Sequence, residues 1–249
     1  MPYNFENKTA LVTGAGSGIG KAAALRFGAA GASVIVSDIN PDSGAATVTE
    51  IENAGGAATF VACNVADSAQ VKALVDAALS HYGRLDFAFN NAGINSPVKD
   101  QWEDDVFDQS IAVNLRSIML CMREEGRAML ESGGGAIVNT ASINGIVGNA
   151  AQPAYTASKH GVGGMTKTAA LRWATSGIRV NAICPGVVET AMVADVVKVP
   201  KFKAQIESMT PMGRMAKPDE IASGVMFLCS DQSSFITGHP LIIDGGATV

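Results

Sequence analysis

Short apolar segments alternate with helix-length segments along the whole of this 249-residue chain. The apolar segments are rich in Val and Ile and almost continuously hydrophobic, which is typical of strands buried on both faces of a sheet. Strands that are separated by helices run parallel and are joined by right-handed crossovers. The sequence therefore predicts an α/β fold with a doubly wound, seven-stranded parallel sheet and helices on both faces. The predicted strands are 9–13, 33–37, 59–63, 85–90, 136–142, 179–185 and 240–244.

Proline, serine and glycine mark the ends of the segments between the strands, where helices begin and stop. No linker, charge block or repeat divides the chain, so we expect one domain over 1–249. The longest interruption is 187–215, which contains four Met residues. We interpret it as a lobe that covers a substrate pocket, with simple core filling as the alternative. The predicted helices are 19–30, 41–54, 68–82, 103–131, 153–175 and 218–230.

Charge and cysteine usage exclude several classes of function. Lys and Arg number 18 against 23 Asp and Glu, and they form no cluster, so we expect no nucleic-acid or membrane partner. No apolar run reaches the roughly 18 residues of a membrane span, and the first residues lack the pattern of a signal peptide. The four cysteines are far apart without metal-ligand spacing, which indicates reduced thiols, a cytoplasmic protein and no metal site. They are Cys63, Cys121, Cys184 and Cys229.

A glycine-rich segment, TGAGSGIG at 13–20, follows the first predicted strand. It fails the dinucleotide template G-x-G-x-x-G, because position 19 is Ile, and it fails the phosphate-loop template of nucleotide hydrolases at positions 15 and 22, which are both Ala. Its glycines still suit a nucleotide: Gly14 allows a tight turn, Gly18 a close approach to phosphate, and Gly20 close packing of helix on sheet. The start of that helix then faces a pyrophosphate.

An acidic residue stands where a dinucleotide would place its adenosine ribose. Asp38 ends the second predicted strand, 18 residues after Gly20. A carboxylate there accepts hydrogen bonds from the ribose hydroxyls and repels a 2′-phosphate. Ser17 and Ile39, which flank this position, carry no positive charge. The sequence therefore predicts NAD rather than NADP as the cofactor.

The G-x-x-x-G-x-G spacing at 14–20 resembles the short-chain dehydrogenase/reductase family, in its compact branch of about 250 residues. NNAG (90–93), CNVAD (63–67), CPG (184–186), ITG (236–238) and DGG (244–246) are similar to further motifs of that family, in the same order. The family often has Asp where this chain has Asn64, and an Asn oxygen can still accept from the adenine amino group. With the loop and Asp38, the resemblance implies these cofactor-binding residues: Gly14, Ser17, Gly18, Ile19, Gly20, Asp38, Ile39, Asn64, Val65, Asn90, Ala92, Gly93, Tyr155, Lys159, Pro185, Gly186, Val188 and Thr190.

The segment YTASK places Tyr155 and Lys159 four residues apart on one face of a predicted helix. A free tyrosine has a pKa near 10 and is a poor base at neutral pH. A neighbouring ammonium and the positive ring of an oxidised nicotinamide both favour the phenolate, so we expect the pKa of Tyr155 to fall. Tyr155 is the predicted general acid and base, and Lys159 its activator and a ligand of the nicotinamide ribose.

Two further residues complete the predicted catalytic set. Thr140 and Ser142, at the end of the fifth strand, are both candidates by chemistry to hold the substrate oxygen. The family resemblance singles out Ser142. It also implies that Asn114 holds a water beside Lys159 and completes a proton relay. The resulting reaction is reversible oxidation of a secondary alcohol by hydride transfer to nicotinamide.

The substrate itself is less constrained by the sequence. Expected pocket walls are 93–97, 143–152 and 187–215, which mix amide and apolar side chains and favour a partly apolar secondary alcohol or ketone, cyclic or polyol. The alternatives are an NADP-dependent ketone or 3-oxoacyl carrier-protein reductase and a non-catalytic binding module. Family resemblance also implies a homotetramer built through the helices at 103–131 and 153–175. The predicted substrate residues are Ser142, Asn144, Gln152, Tyr155 and Met192.

Overall fold

The computed structural model describes residues 3–95 and 100–249, with the backbone alone of Val196. Within these residues seven strands form one parallel sheet in the order β3-β2-β1-β4-β5-β6-β7. The predicted doubly wound sheet is confirmed, and each strand overlaps its predicted segment. The strands are β1 (Thr9–Thr13), β2 (Ser33–Asp38), β3 (Ala57–Ala62), β4 (Phe87–Asn90), β5 (Gly135–Thr140), β6 (Ile178–Pro185) and β7 (Pro240–Ile243).

Helices connect the strands close to the predicted positions, with two differences. The helix predicted at 103–131 is α4 and α5 joined by a π-helical turn at Ala112–Arg116. The segment 187–215, in which no helix was among the predicted ones, contains the short helices α7 and α8. The helices are α1 (Gly18–Ala29), α2 (Pro41–Asn53), α3 (Ser68–Tyr82), α4 (Asp104–Ile111), α5 (Ser117–Ser132), α6 (Pro153–Trp173), α7 (Ala194–Val197), α8 (Pro200–Ser208) and α9 (Pro218–Cys229).

The sheet has a hydrophobic core on each face, because successive strand side chains point to opposite sides. Leu11 and Ile35 lie in one core, with residues of α3, α5 and α6. Val12 and Val34 lie in the other, with residues of α1 and α9. Burial on both faces explains why the strands are continuously apolar.

A buried polar network lies in the core beneath the carboxyl end of β4. Asn90 donates through Nδ2 to Glu125 Oε2 (2.9 Å) and to Asn139 Oδ1 (3.1 Å), and Asn139 donates to Thr166 Oγ1 (3.0 Å). Glu125 is completely buried on α5, and its Oε1 finds no hydrogen-bond partner among the described residues. Burial raises the pKa of Glu125 to about 8, against a smaller lowering by the bond from Asn90. At neutral pH this carboxyl is therefore mostly protonated.

The sheet order reverses between β1 and β4, which are neighbours although their connections leave in opposite directions. Ligands of open parallel sheets bind in the crevice at such a point, outside the carboxyl ends of the strands. The glycine loop follows β1 there, Asp38 ends β2 and Ser142 follows β5. None of the helices in the described part of the chain is long and apolar enough to cross a membrane.

Candidate active site

The glycine loop between β1 and α1 adopts the conformation that its glycines allow. Gly14 and Gly18 have φ angles of +62° and +53°, in the left-handed region that disfavours a side chain. At Gly20 a Cβ atom would overlap the carbonyl oxygen of Gly14, so α1 starts against the turn itself. Thr190, after β6, faces the same loop, since a Cβ on Gly18 would lie 3.1 Å from its Cγ2.

A cavity of about 560 Å³ opens between the start of α1 and the segment after β6, and Gly18 and Thr190 line it together with Glu189 and Lys203. The first N–H groups of a helix are unpaired within the helix and attract anions. The space, the close backbone approach and these donors fit the pyrophosphate of a dinucleotide.

Asp38 sits directly over the glycine loop. Its Oδ2 accepts a hydrogen bond from Gly16 N–H and its Oδ1 one from Asn40 N–H, both at 2.9 Å. These bonds fix the carboxylate beside the loop, where it suits a diol such as the adenosine ribose. Ile39 is 71% exposed and flanks this position with a neutral side chain. The position of Asp38 and the neutral side chain of Ile39 therefore fit the adenosine ribose of the predicted cofactor.

The NNAG segment after β4 divides its side chains between the core and the loop. The side chain of Asn90 belongs to the buried network, so it reaches the crevice only through its backbone. Asn91, which is not among the predicted cofactor-binding residues, donates to the carbonyl oxygens of Thr13 and Gly14. The N–H groups of Asn91 and Ala92 both donate to Thr13 Oγ1. The motif therefore ties β4 to the glycine loop.

The other predicted cofactor residues surround the same crevice. Asn64 Oδ1 accepts from Ala66 N–H at 3.1 Å, so part of the acceptor capacity that we assigned to adenine already serves the loop after β3. Val65 is 7% exposed and packs in the core. Gly186 N–H donates to Ile243 O at the end of β7, and Val188 bridges to Ala216, which holds the segment after β6 beside the sheet.

Tyr155 and Lys159 lie on the same face of α6, as predicted from their spacing. Lys159 Nζ is 5.4 Å from the centroid of the Tyr155 ring and donates to Thr140 O at 2.7 Å. Ser142, 8% exposed, accepts from Asn144 N–H through its Oγ (3.1 Å). The Ser142 side chain lies near enough to Tyr155 to lower the pKa of the tyrosine. The serine, tyrosine and lysine thus converge at the carboxyl edge of β5.

The electrostatics of this cluster differ from the prediction. Burial raises the pKa of Tyr155 to about 12, and the nearby Ser142 hydroxyl lowers it by less. Burial also lowers the pKa of Lys159 to about 8. We expected a lowered tyrosine pKa; the protein alone gives the reverse, because loss of hydration penalises the phenolate and the ammonium alike.

Asn114 lies in the π-helical turn and is completely buried. Its Oδ1 accepts from Ile94 N–H at 2.8 Å, and its Nδ2 donates to Ile94 O at 2.9 Å and to Ser158 Oγ at 3.4 Å. A Cβ on Gly93 would lie 3.1 Å from Asn114 Oδ1 and 3.7 Å from Lys159 Nζ. Because Gly93 has no side chain, it leaves free the space between the asparagine and the lysine, where the predicted relay would pass.

The predicted substrate residues form an amide cluster with an apolar rim. Gln152 Oε1 accepts from Asn144 Nδ2 at 2.8 Å and from Asn149 Nδ2 at 3.3 Å. Met192 is 44% exposed, and Ile146 and Val147 are about as exposed. Asn95 belongs to the predicted wall 93–97, of which Ser96 and Pro97 lie outside the described residues.

Gln101 also belongs to the site, although no motif in the sequence indicated it. The residue is 2% exposed. Its Oε1 accepts from the backbone N–H of Tyr155 at 3.1 Å, and its Nε2 donates to Asn95 Oδ1 at 3.0 Å. The described residues contain no group of three or more His, Cys, Asp or Glu side chains that could hold a metal ion.

Comparisons with known proteins agree with the resemblance. A family profile described as enoyl-(acyl carrier protein) reductase matches residues 14–248. The chain is 44% identical to cyclohexanol dehydrogenase of Acinetobacter sp. (strain SE19), over 100% of this chain and 98% of that protein. It is 41% identical to a 3-oxoacyl-[acyl-carrier-protein] reductase of Thermotoga maritima, over 98% and 99%. The crystal structure of levodione reductase, 36% identical, superposes with a TM-score of 0.93 over 98% of each chain.

Proposed function

We propose that this chain, which belongs to the short-chain dehydrogenase/reductase family and is an oxidoreductase of alcohols or ketones, uses NAD as its cofactor. The proposed reaction interconverts a secondary alcohol and the corresponding ketone. Tyr155 is the general acid and base of this reaction. The observation that carries the proposal is the convergence of Ser142, Tyr155 and Lys159 beside the glycine loop, at the switch point of the sheet.

Each residue of the catalytic set has a separate task. Ser142 donates to the substrate oxygen and stabilises the charge that develops there. Tyr155, as phenolate, takes the proton of the alcohol, and in the reduction it returns that proton to the ketone oxygen. Lys159 binds the ribose hydroxyls and supplies positive charge next to Tyr155. Asn114 orders a water that passes the proton from this pair to solvent.

The residues present fit a nicotinamide cofactor, which when bound supplies the hydride acceptor and, in its oxidised form, a positive charge beside Tyr155. That charge is what the site needs, because burial alone raises the pKa of Tyr155 to about 12. Tyr155 therefore becomes a base through the combined effect of the protein and the positive charge of the oxidised cofactor. The tyrosine stays protonated, and unreactive as a base, until the oxidised cofactor is in place.

The cofactor preference rests on Asp38. Its carboxylate is fixed by Gly16 and Asn40 N–H and lies where a 2′-phosphate would bring a second negative charge. Like charges at hydrogen-bond distance repel strongly in a partly buried site. NAD is therefore the proposed cofactor, and initial rates with NAD and NADP at equal concentration test the choice.

The substrate proposed is a cyclic secondary alcohol, or the corresponding ketone, that carries a second oxygen. Ile146, Val147 and Met192 offer an apolar rim to a ring, and the amide cluster of Asn144, Asn149 and Gln152 offers partners to a polar group. A similar protein, cyclohexanol dehydrogenase, has a name that refers to a ring alcohol. This likeness supports a ring-shaped substrate.

Tyr155→Phe is the decisive variant for the mechanism. It removes the phenol oxygen and keeps the ring, so we expect unchanged affinity for NADH and a loss of turnover of about 10²–10⁴-fold, the usual contribution of an acid–base group. Absorbance of NADH during oxidation of cyclohexanol, cyclohexane-1,2-diol and cyclohexane-1,4-diol measures turnover. Fluorescence titration measures NADH affinity. Unchanged turnover in Tyr155→Phe would contradict the assignment of Tyr155 as the general acid and base.

The carrier-protein reductase is the second candidate, because one similar protein bears that name and matches almost the whole chain. Faster reduction of acetoacetyl-carrier protein with NADPH than of any cyclic ketone with NADH would place it first. A non-catalytic binding module is the third reading. All four residues of the predicted catalytic set are present, which disfavours it.

Assembly and location complete the proposal. Leu171 on α6 is 85% exposed and Leu130 on α5 is 51% exposed, so both long helices present apolar side chains that a partner subunit could cover. We propose a homotetramer with the mass of about four 25.5-kDa chains, which light scattering tests. The four cysteines are free and buried, which suits a reducing cytoplasm.

A further inference from the structure

We propose that Gln101 is a positioning residue for the reaction, and that with Asn95 it forms an amide bridge fixing Tyr155 relative to Asn114. The inference rests on the proposed function, in which Tyr155 exchanges the proton and Asn114 serves the relay. Neither residue of the bridge belongs to a motif or to the predicted catalytic set. The bridge consists of hydrogen bonds between the loop after β4 and the first turn of α6.

The first turn of α6 needs an acceptor from outside the helix. Tyr155 is the third residue of the helix, so its N–H has no carbonyl partner within it. The N-cap residue does not supply one, because Gln152 Oε1 is occupied by Asn144 and Asn149. Gln101 Oε1 accepts this N–H at 3.1 Å from 54 positions earlier in the chain. Gln101 thus caps the helix at the residue that carries the reactive hydroxyl.

The other end of Gln101 leads to the second catalytic element. Its amide orientation is fixed, because the Tyr155 N–H can pair only with an oxygen, and Nε2 therefore points to Asn95 Oδ1 (3.0 Å). Asn95 follows Ile94, whose N–H and C=O are both bonded to the Asn114 side chain. A continuous path of hydrogen bonds and one peptide link therefore runs from Tyr155 to Asn114.

This hydrogen-bonded path matters for catalysis because it holds the first turn of α6, which carries Tyr155. A first turn that frays moves the Tyr155 ring away from Ser142 and from Lys159 Nζ, now 5.4 Å from its centroid. Misplacement of a reacting group by about 1 Å can cost 10²-fold in rate. Without Gln101 the N–H of Tyr155 would also lose this acceptor, and an N–H left without one costs free energy.

The test is Gln101→Met, which keeps the length of the side chain and removes its hydrogen bonds. We expect kcat for cyclohexanol oxidation with NAD to fall about 10–100-fold, with parental NADH affinity. The acid limb of the pH–rate profile shifts to higher pH, because a displaced Tyr155 gains less from Lys159. Amide hydrogen exchange of the peptide 153–158 becomes faster. Gln101→Glu, which restores an acceptor oxygen, recovers most of kcat and of the protection.

Gln109→Met on the exposed side of α4 is the matched control and stays parental. If the activity of Gln101→Met falls only in proportion to the amount of folded protein, and its pH–rate profile is unchanged, Gln101 has a purely structural role and the inference is overturned. Unchanged exchange at 153–158 overturns it whatever the activity. The proposed function fails separately: if Tyr155→Phe keeps turnover, the mechanism is wrong, while inactive Tyr155→Phe beside fully active Gln101→Met refutes the bridge alone.

Discussion

The buried carboxyl of Glu125 gives the protein a stability that falls as pH rises. Its pKa is about 8 in the folded protein and 4.5 in its ordinary state, so the carboxyl loses its proton later when folded. Between pH 4.5 and pH 8 the unfolded chain binds fewer protons than the folded one. Raising the pH in this range therefore lowers the free energy of unfolding. Each unit of the shift is worth about 1.4 kcal/mol, which puts the full effect near 5 kcal/mol and the change between pH 6 and pH 9 at about 2–3 kcal/mol.

Glu125→Gln tests this value, because glutamine keeps an acceptor oxygen for Asn90 Nδ2 and carries no charge at any pH. We expect the free energy of unfolding of the variant in urea, relative to that of the parent, to rise by about 2–3 kcal/mol from pH 6 to pH 9, at fixed protein concentration. Glu131→Gln, on the same helix and mostly exposed, is the control and follows the parent. Parallel curves for Glu125→Gln and parent would refute the argument that the buried carboxyl is protonated.

Three further predictions concern the cofactor and the substrate. Asp38→Ala removes the carboxylate over the glycine loop, so KM for NAD rises about 10-fold and the preference over NADP shrinks, which initial rates with both cofactors measure. Gly20→Ala forces a methyl group onto Gly14 O, so NADH binding followed by fluorescence is lost and the melting temperature falls; parental binding would show that the turn can move. Gln152→Leu removes a polar partner, so KM rises for cyclohexane-1,4-diol and not for cyclohexanol; equal effects on both would contradict the role given to the amide cluster.

The parts of the fold that depend on local pattern were predictable from the sequence. Continuous apolar strands indicated the parallel sheet, and the Tyr155–Lys159 spacing placed both side chains on one helix face. The position of Asp38 over the glycine loop also followed, because parallel strands end at the same edge of the sheet. In each case residues close in sequence, or equivalent ends of strands, determine the arrangement.

Features that depend on distant contacts or on burial were not predictable. The acceptor that Gln101 gives to Tyr155 comes from 54 residues away, and nothing near Gln101 in the sequence indicates it. The side chain of Asn90 turned into the core because Glu125 and Asn139 need its donors there. The raised pKa of Tyr155 is a matter of burial, which the spacing of two residues on a helix cannot report.

Because of the π-helical turn at Ala112–Arg116, the geometry of the site depends on the number of residues between β4 and β5. One residue more than an α-helix requires rotates everything after it by about 100°. Asn114 sits in this wide turn, and its side chain meets the backbone of Ile94 there. A relative lacking a single residue here could keep every motif in the sequence and still present a different side chain to Lys159.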